Sequence, residues 1–339
     1  MVALAIGPDT ARTAVRTVDL APEIPASPRA EQKVTSPTIP SVMTEEPKAR
    51  DLEYAARLSA LERGRTLAAS VRPDALVGVA PAVARNRAAE WAKAVRMAGG
   101  SPLVAIGEIL PPPEWFQARL VHRRDEYNLV EAVKAGGAYG KTYMTVSAVL
   151  EQSRASSEAV EAVLDAVWNS DPAAARLKHT PSPMLKKSER WLPGVSTLGE
   201  SHQYALDIFF TSVRRHGAAE TGPVIRSMGS GIVVAAADDW KGGDKTSNYR
   251  SGGLSPKAGN GVIVYDPVQR RYHAYFHLSA VYAKTGQLVS SGDALGRGGN
   301  TGTNARKKEH GGHVHIEIHD ADGDAWTAYA IREYFLSIY

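Results

Sequence analysis

Residues 286–320 read GQLVSSGDALGRGGNTGTNARKKEHGGHVHIEIHD, and the closing HVHIEI (313–318) decides what the chain must build around them. The run alternates with period 2, so His313, His315 and Glu317 share one face of a strand and Val314, Ile316 and Ile318 share the other. A strand rises ~3.3 Å per residue, which sets two same-face histidines roughly 7 Å apart at their Cα atoms. Both imidazoles can then converge on one small object, such as a zinc ion and the water it holds, one ring on the metal and the other beside the water. The polar face of a surface strand fits the same spacing, and the pair alone leaves both readings open. The glycines upstream (Gly286, Gly292, Gly296, Gly299 and Gly302) read as the tight turns that feed this strand.

Outward from this stretch, the texture of short alternating runs between Gly-rich turns continues back to about residue 200, the pattern of an antiparallel β domain. Candidate strands are YALDIFF (204–210), GIVVAAA (231–237), GVIVYD (261–266), RYHAYFHL (271–278) and HVHIEI, with AWTAYAIREYFLSIY (325–339) as a closing helix. Residues 173–198, with several prolines and Lys186-Lys187, read as a linker into this domain at 199–339. The preceding stretch, 51–172, is helical in pattern. Ala55, Leu58 and Leu61 recur at helical spacing, and residues 82–98 set Trp91 and Val95 on one face before Gly99-Gly100 stops the helix. A helix follows Pro111-Pro112-Pro113 and ends near Gly136-Gly137, and Ser157 reads as the N-cap of another, closed by Asp171-Pro172. No catalytic constellation falls in this half, and His122, among Arg123 and Arg124, reads as part of a solvated basic face. Residues 1–50 carry prolines at 8, 22, 25, 28, 37, 40 and 47 and read as an extended segment with one candidate strand at 14–20. The fold class expected is therefore α+β, a mostly helical N-terminal domain followed by an antiparallel β-sheet domain.

Composition narrows the chemistry. The 339 residues include no cysteine, so any transition-metal site must be built from His, Asp and Glu. A formal charge of +4 suits contact with an anionic polymer or envelope surface and does not point to nucleic acid. No run approaches the length of a transmembrane segment, and MVALAIGPDT lacks the basic start of a secretory leader.

Histidines concentrate in the β half. His202 precedes a strand in which Ala205, Asp207 and Phe209 share a face, and His277 closes RYHAYFHL on the face of His273 and Tyr275. With those residues on the page, HxxxxD at 202–207, YFHLS at 275–279, GQLVSSGDALGRGGNTG at 286–302 and GGHVHIEI at 311–318 together resemble, in order, the LytM/lysostaphin-like M23 zinc metallopeptidases. The resemblance covers roughly residues 195–320 and implies the family's duplicated hybrid motif fold. It implies His202, Asp207 and His315 as Zn2+ ligands with one position left open, and His277 and His313 as catalytic histidines. His313 would activate water, and His277 would stabilise the oxyanion, with the two roles exchangeable. Tyr204 and Tyr275 are candidates for substrate binding at the groove edge or for packing.

By the same resemblance the chain is a zinc metalloendopeptidase, a periplasmic, cell-surface or secreted peptidoglycan hydrolase of the bacterial cell wall that cuts stem-peptide cross-links or bridges. The alternative is a catalytically silent module that binds the wall or activates another hydrolase. The N-terminal half is a candidate for intramolecular regulation, as a cover for the groove. Three departures from the family pattern stand out: four residues rather than three between His202 and Asp207, a longer and more basic TNARKKEHGG before His313, and a long Gly/Ser/Lys loop at 238–258. His310 reads as a mobile loop histidine and not a ligand, and His216, His273 and His319 as structural or exposed.

Overall fold

The strand that carries the histidine pair lies at the centre of the sheet. In the computed structural model, which describes residues 49–120, 140–193, 203–308, 310–321 and 325–339, β11 (His313–Asp320) has antiparallel neighbours along its whole length. On one side β7 (Arg271–Phe276) pairs His315 with Phe276 through to Asp320 with Arg271. On the other, β2 (Leu206–Phe210) pairs His313 with Phe209 and His315 with Asp207. His202, His122, the candidate strand at 14–20 and the helix end near Gly136-Gly137 lie outside the described residues.

The sheet extends from β7 through β6 (Gly261–Asp266) and β5 (Gly231–Ala237) to β9 (Leu288–Val289). Beyond β11 it continues through β10 (Ala294–Gly299) and β4 (Ala219–Arg226) to β3 (Arg214–His216). Two short strands, β1 (Trp191–Pro193) and β8 (Ala280–Val281), pair with β2 and β10. Strands β5, β6 and β7 and the site strand fall where alternation places them. β4 and β10 do not announce themselves, because AETGPVIR and ALGRGG carry the glycine and proline that normally mark turns. In β10 the glycines answer a demand for close approach: a Cβ on Gly299 would lie 2.6 Å from Ser279 N, and one on Gly296 would run into the Ala280 carbonyl. Gly296 and Gly299 are therefore strand residues and not turns, whereas Gly286, Gly292 and Gly302 do take positive φ.

Helices α1 (Ala49–Ser70), α2 (Pro81–Met97), α3 (Pro102–Ala105), α4 (Pro113–Leu120) and α5 (Gly140–Ser170) precede the sheet, and α6 (Ala328–Ile338) closes the chain. α5 runs straight through Ser157, so that residue is not an N-cap; with Ser156 fully buried, the serines there are accommodated inside a long helix. All described residues belong to one compact unit, Pro47–Tyr339. The period-2 alternation of the sheet sorts its core into two layers. Tyr272, Ala274 and Phe276 of β7 face a cluster with Trp91, Trp115, Phe116 and Leu164 of the helices. Tyr275 faces the other cluster, with Val314, Ile316 and Ile318 of β11 and with Ile331 and Phe335 of α6. Each of these large side chains contributes about 1.5–3 kcal/mol by leaving water, so the helical half is held to the sheet by a shared core. His313, His315 and Glu317 project to the same side as the helices, beyond the area that the helices cover.

Candidate active site

Asp207 is the centre of the site. Its carboxylate is almost fully buried at 1% exposure, and burying a carboxylate is costly unless it is paired. The partners are the histidines of the adjacent strand: His315 Nδ1 lies 2.7 Å from Oδ1, and His313 Nε2 lies 4.0 Å from Oδ2. Direct pairing of His315 with Asp207 across the ladder makes this possible. On the far side of His315, Nε2 is 3.1 Å from Glu317 Oε1, and Glu317 Oε2 is 2.8 Å from His319 Nε2. A chain His319–Glu317–His315–Asp207 thus fixes the His315 ring from both ends, aided by Phe276 stacked at 5.9 Å.

His277 reaches the same place by breaking the alternation. Continued as a strand, β7 would send it into the core beside Tyr275. Its φ of +65° instead puts a non-glycine residue in the left-handed region and swings the ring over to the site face. There it lies 4.7 Å from the His313 ring and 5.5 Å from that of His315, with Nδ1 2.8 Å from the Thr301 carbonyl oxygen. The sequence expectation that His277 shares a face with Tyr275 and His273 is corrected by this turn. Gly302 makes room for it, since its φ is +98° and a Cβ there would lie 3.0 Å from His277 Nδ1.

Tautomers follow from the partners. His277 Nδ1 faces the Thr301 carbonyl and His313 Nδ1 faces that of Gly311 at 2.9 Å; a carbonyl oxygen only accepts, so both Nδ1 atoms carry the proton and both Nε2 atoms are acceptors. Burial, with the neighbouring His313 and His315, holds His277 well below the ordinary histidine range, and burial takes His313 down to about 4. Burial would also lower His315, but Asp207 and Glu317 outweigh it and raise it to about 10. Burial would raise Glu317, whereas its bonds to His315 and His319 bring it down to about 2. Two neutral imidazoles, His277 and His313, therefore stand beside the Asp207 carboxylate, with the ionised Glu317 behind His315.

Other expected residues fall elsewhere. Tyr275 is fully buried and its hydroxyl accepts from the Met228 N–H at 2.9 Å, so it is a core residue and not a groove contact. Tyr204 is half-buried in the turn before β2. His216 is exposed, while His273 and His319 are buried. His310, read from sequence as a bystander, sits 5.2 Å from the His313 ring, and one ligand atom from each of Asp207, His310 and His313 can be chosen so that all lie within 4.8 Å of one another. Glu317 was visible in sequence on the face of the two histidines, and its contacts with His315 and His319 show what it does.

The donor set suits a divalent transition metal. A buried carboxylate ringed by imidazole nitrogens, in a chain with no cysteine, supplies the N and O ligands zinc accepts. Asp207 with His310 and His313, or with His315 across the ladder, could hold such an ion, and Glu317 would orient His315 in a carboxylate–histidine–metal arrangement.

Residues 216–327 match the family model described as Peptidase family M23, in agreement with the motifs. The matched span holds His277, His313 and His315 and begins after Asp207. Solved structures are similar to parts of the chain at low identity. Lysostaphin from Staphylococcus simulans is 18% identical over 46% of this chain and 55% of that one, with a TM-score of 0.32. A zinc-containing peptidase from Vibrio cholerae is 21% identical over 45% of this chain and 40% of that one, with a TM-score of 0.30. A putative glycyl-glycine endopeptidase lytM from Ruminococcus gnavus is 17% identical over 68% and 93%, with a TM-score of 0.33. The chain thus spans 40% and 55% of the length of the first two. No curated protein matches.

Proposed function

We propose that the C-terminal region is a zinc-dependent endopeptidase that hydrolyses the stem-peptide cross-links or bridges of bacterial peptidoglycan. The observation that carries this reading is the convergence of His277, His313 and His315 on one buried carboxylate, Asp207, through a left-handed residue at the end of β7 and the register of β2 with β11. Asp207 and His315 would hold the metal, with His202 as the third ligand that the family resemblance implies. When bound, zinc would supply Lewis acidity, polarising the scissile carbonyl and bringing the pKa of water near ~7.

The chain's own residues supply the proton transfers. His313 Nε2 is unprotonated and faces Asp207, so it can take the proton of the attacking water and pass it to the leaving amine. His277 in the same tautomer is also an acceptor at Nε2; it becomes a donor to the developing oxyanion only after it has taken up a proton. Phe209, stacked on His313 at 4.7 Å, keeps that ring in place.

The assignment to peptidoglycan and to an extracytoplasmic site of action is supported by the family match and by the mild positive charge. Among the described residues no helix is long and apolar enough to cross a membrane. Regulation by the N-terminal half belongs to the proposal in a form the shared core suggests. α4 packs Phe116 on Tyr272, and Arg119 donates to the Ala321 carbonyl just beyond β11, so its influence would run through β7 and β11 and not through detachment. Digestion of purified cross-linked peptidoglycan, with products read by mass spectrometry with and without a zinc chelator, tests the function. Chelator-sensitive loss of cross-linked fragments is expected; an intact sacculus in both arms would refute it.

A further inference from the structure

The loop before β11 delivers one more histidine than the reaction uses. After Gly302, a turn carries the Arg306 N–H to the Gly302 carbonyl, and a second brings the His310 N–H to that of Lys307 at 3.2 Å. Gly311, at φ +79°, then reverses the chain into the strand. These turns bring His310 back over the site, half-buried, with its ring 5.2 Å from His313 and 6.2 Å from Phe209.

The donor distances suit a shared ion. Two ligands each ~2.1 Å from a zinc ion are at most about 4.2 Å apart, so donors that already lie within 4.8 Å of one another need to close by no more than about 0.6 Å. Asp207, His310 and His313 form that group, and His315 Nδ1 lies 2.7 Å from Asp207 Oδ1. A hydrolytic zinc site needs a position free of protein ligands. A histidine set within reach of that position on a loop, and not on the sheet, can hold it closed and leave it without disturbing the strands.

Resting on the metal-dependent reading above, we propose that His310 is a metal ligand in the resting protein and occupies the coordination position that substrate and water require, from which its own turn, closed by the His310 N–H on the Lys307 carbonyl, can withdraw it. Zinc held by Asp207, His315 and His310 together is bound more tightly and is less reactive than zinc held without His310. The basic residues of the same loop, Arg306, Lys307 and Lys308, give an anionic wall polymer a means of drawing the loop, and His310 with it, off the metal.

The test uses the full chain loaded with one equivalent of zinc or cobalt(II). Zinc affinity is measured by competition with a chromogenic chelator, and the number of imidazole ligands by X-ray absorption. His310→Ala is expected to lower affinity by at least about 10-fold and to remove one imidazole from the count. Its cobalt(II) spectrum should respond to added azide, whereas that of the unaltered protein should not. His310→Asp, which keeps a ligating group, should recover part of the affinity; circular dichroism checks that both variants are folded. If the unaltered protein binds metal and His310→Ala matches it in affinity, imidazole count and azide response, this inference is overturned and the peptidase reading stands. If the unaltered protein takes up no stoichiometric metal, both fall.

Discussion

Glu161→Gln isolates the electrostatics that join the helical half to the site-bearing sheet. Glu161, on α5, is 1% exposed; its Oε1 accepts from Arg119 Nε and Nη2 at 3.2 and 3.1 Å and from the Tyr272 hydroxyl at 3.0 Å. One turn along, Asp165 accepts from Tyr265 at 2.8 Å and pairs with Arg270. Two effects oppose each other at Glu161: burial disfavours the charged form, and the Arg119 pair favours it. Burial prevails, and the carboxyl is pushed up to about 7. The folded protein then binds more protons than the unfolded chain between about pH 4.5 and pH 7, so stability from this group is fully present below pH 4.5 and falls as pH rises through 7. Between pH 5 and pH 8 the loss is about 2–3 kcal/mol, on the order of a hundredfold in the unfolding equilibrium. Glutamine keeps the acceptor for Tyr272 and Arg119 and cannot ionise. Urea unfolding of both proteins at pH 5 and pH 8 should therefore show a steeper alkaline loss in the unaltered chain, with Glu161→Gln the more stable partner at pH 8. Parallel pH profiles, or a glutamine variant that loses ground as pH rises, would refute the reasoning by showing that the Arg119 ion pair outweighs burial.

Removing His313 as His313→Ala should abolish hydrolysis of cross-linked peptidoglycan while leaving zinc binding within about tenfold, measured by fragment mass spectrometry and chelator competition. Glu317→Gln should weaken zinc binding by about 10–100-fold, because His315 loses the carboxylate that orients it at 3.1 Å; an unchanged dissociation constant would remove Glu317 from the site. Gly302→Ala forces a Cβ against the Lys257 carbonyl and beside His277 at a φ of +98°, and should cost on the order of 2 kcal/mol in denaturant unfolding together with a fall in activity.

How far the sequence foretold this arrangement depends on whether a residue's position follows from local periodicity. HVHIEI, GIVVAAA and GVIVYD become strands β11, β5 and β6 because alternation and β-branched content are local properties. β10 escapes notice because its glycines answer to Ser279 and Ala280, which are near in space, and nothing in ALGRGG records that contact. The site divides along the same line. His313 and His315 follow from period 2, but His277 reaches them only because one residue leaves the β region, reversing the face its own strand assigns it. His310 shows the opposite case: a loop gives no periodicity from which to place a side chain, yet two turns and a glycine at positive φ bring it to the carboxylate that its neighbours on β11 already surround. A histidine outside any strand is therefore the residue whose role sequence alone was least able to assign. It is also the one whose removal should alter the metal centre without altering the fold, since among the described residues no strand pairing includes it and its ring contacts are with Phe209 and His313 at the site.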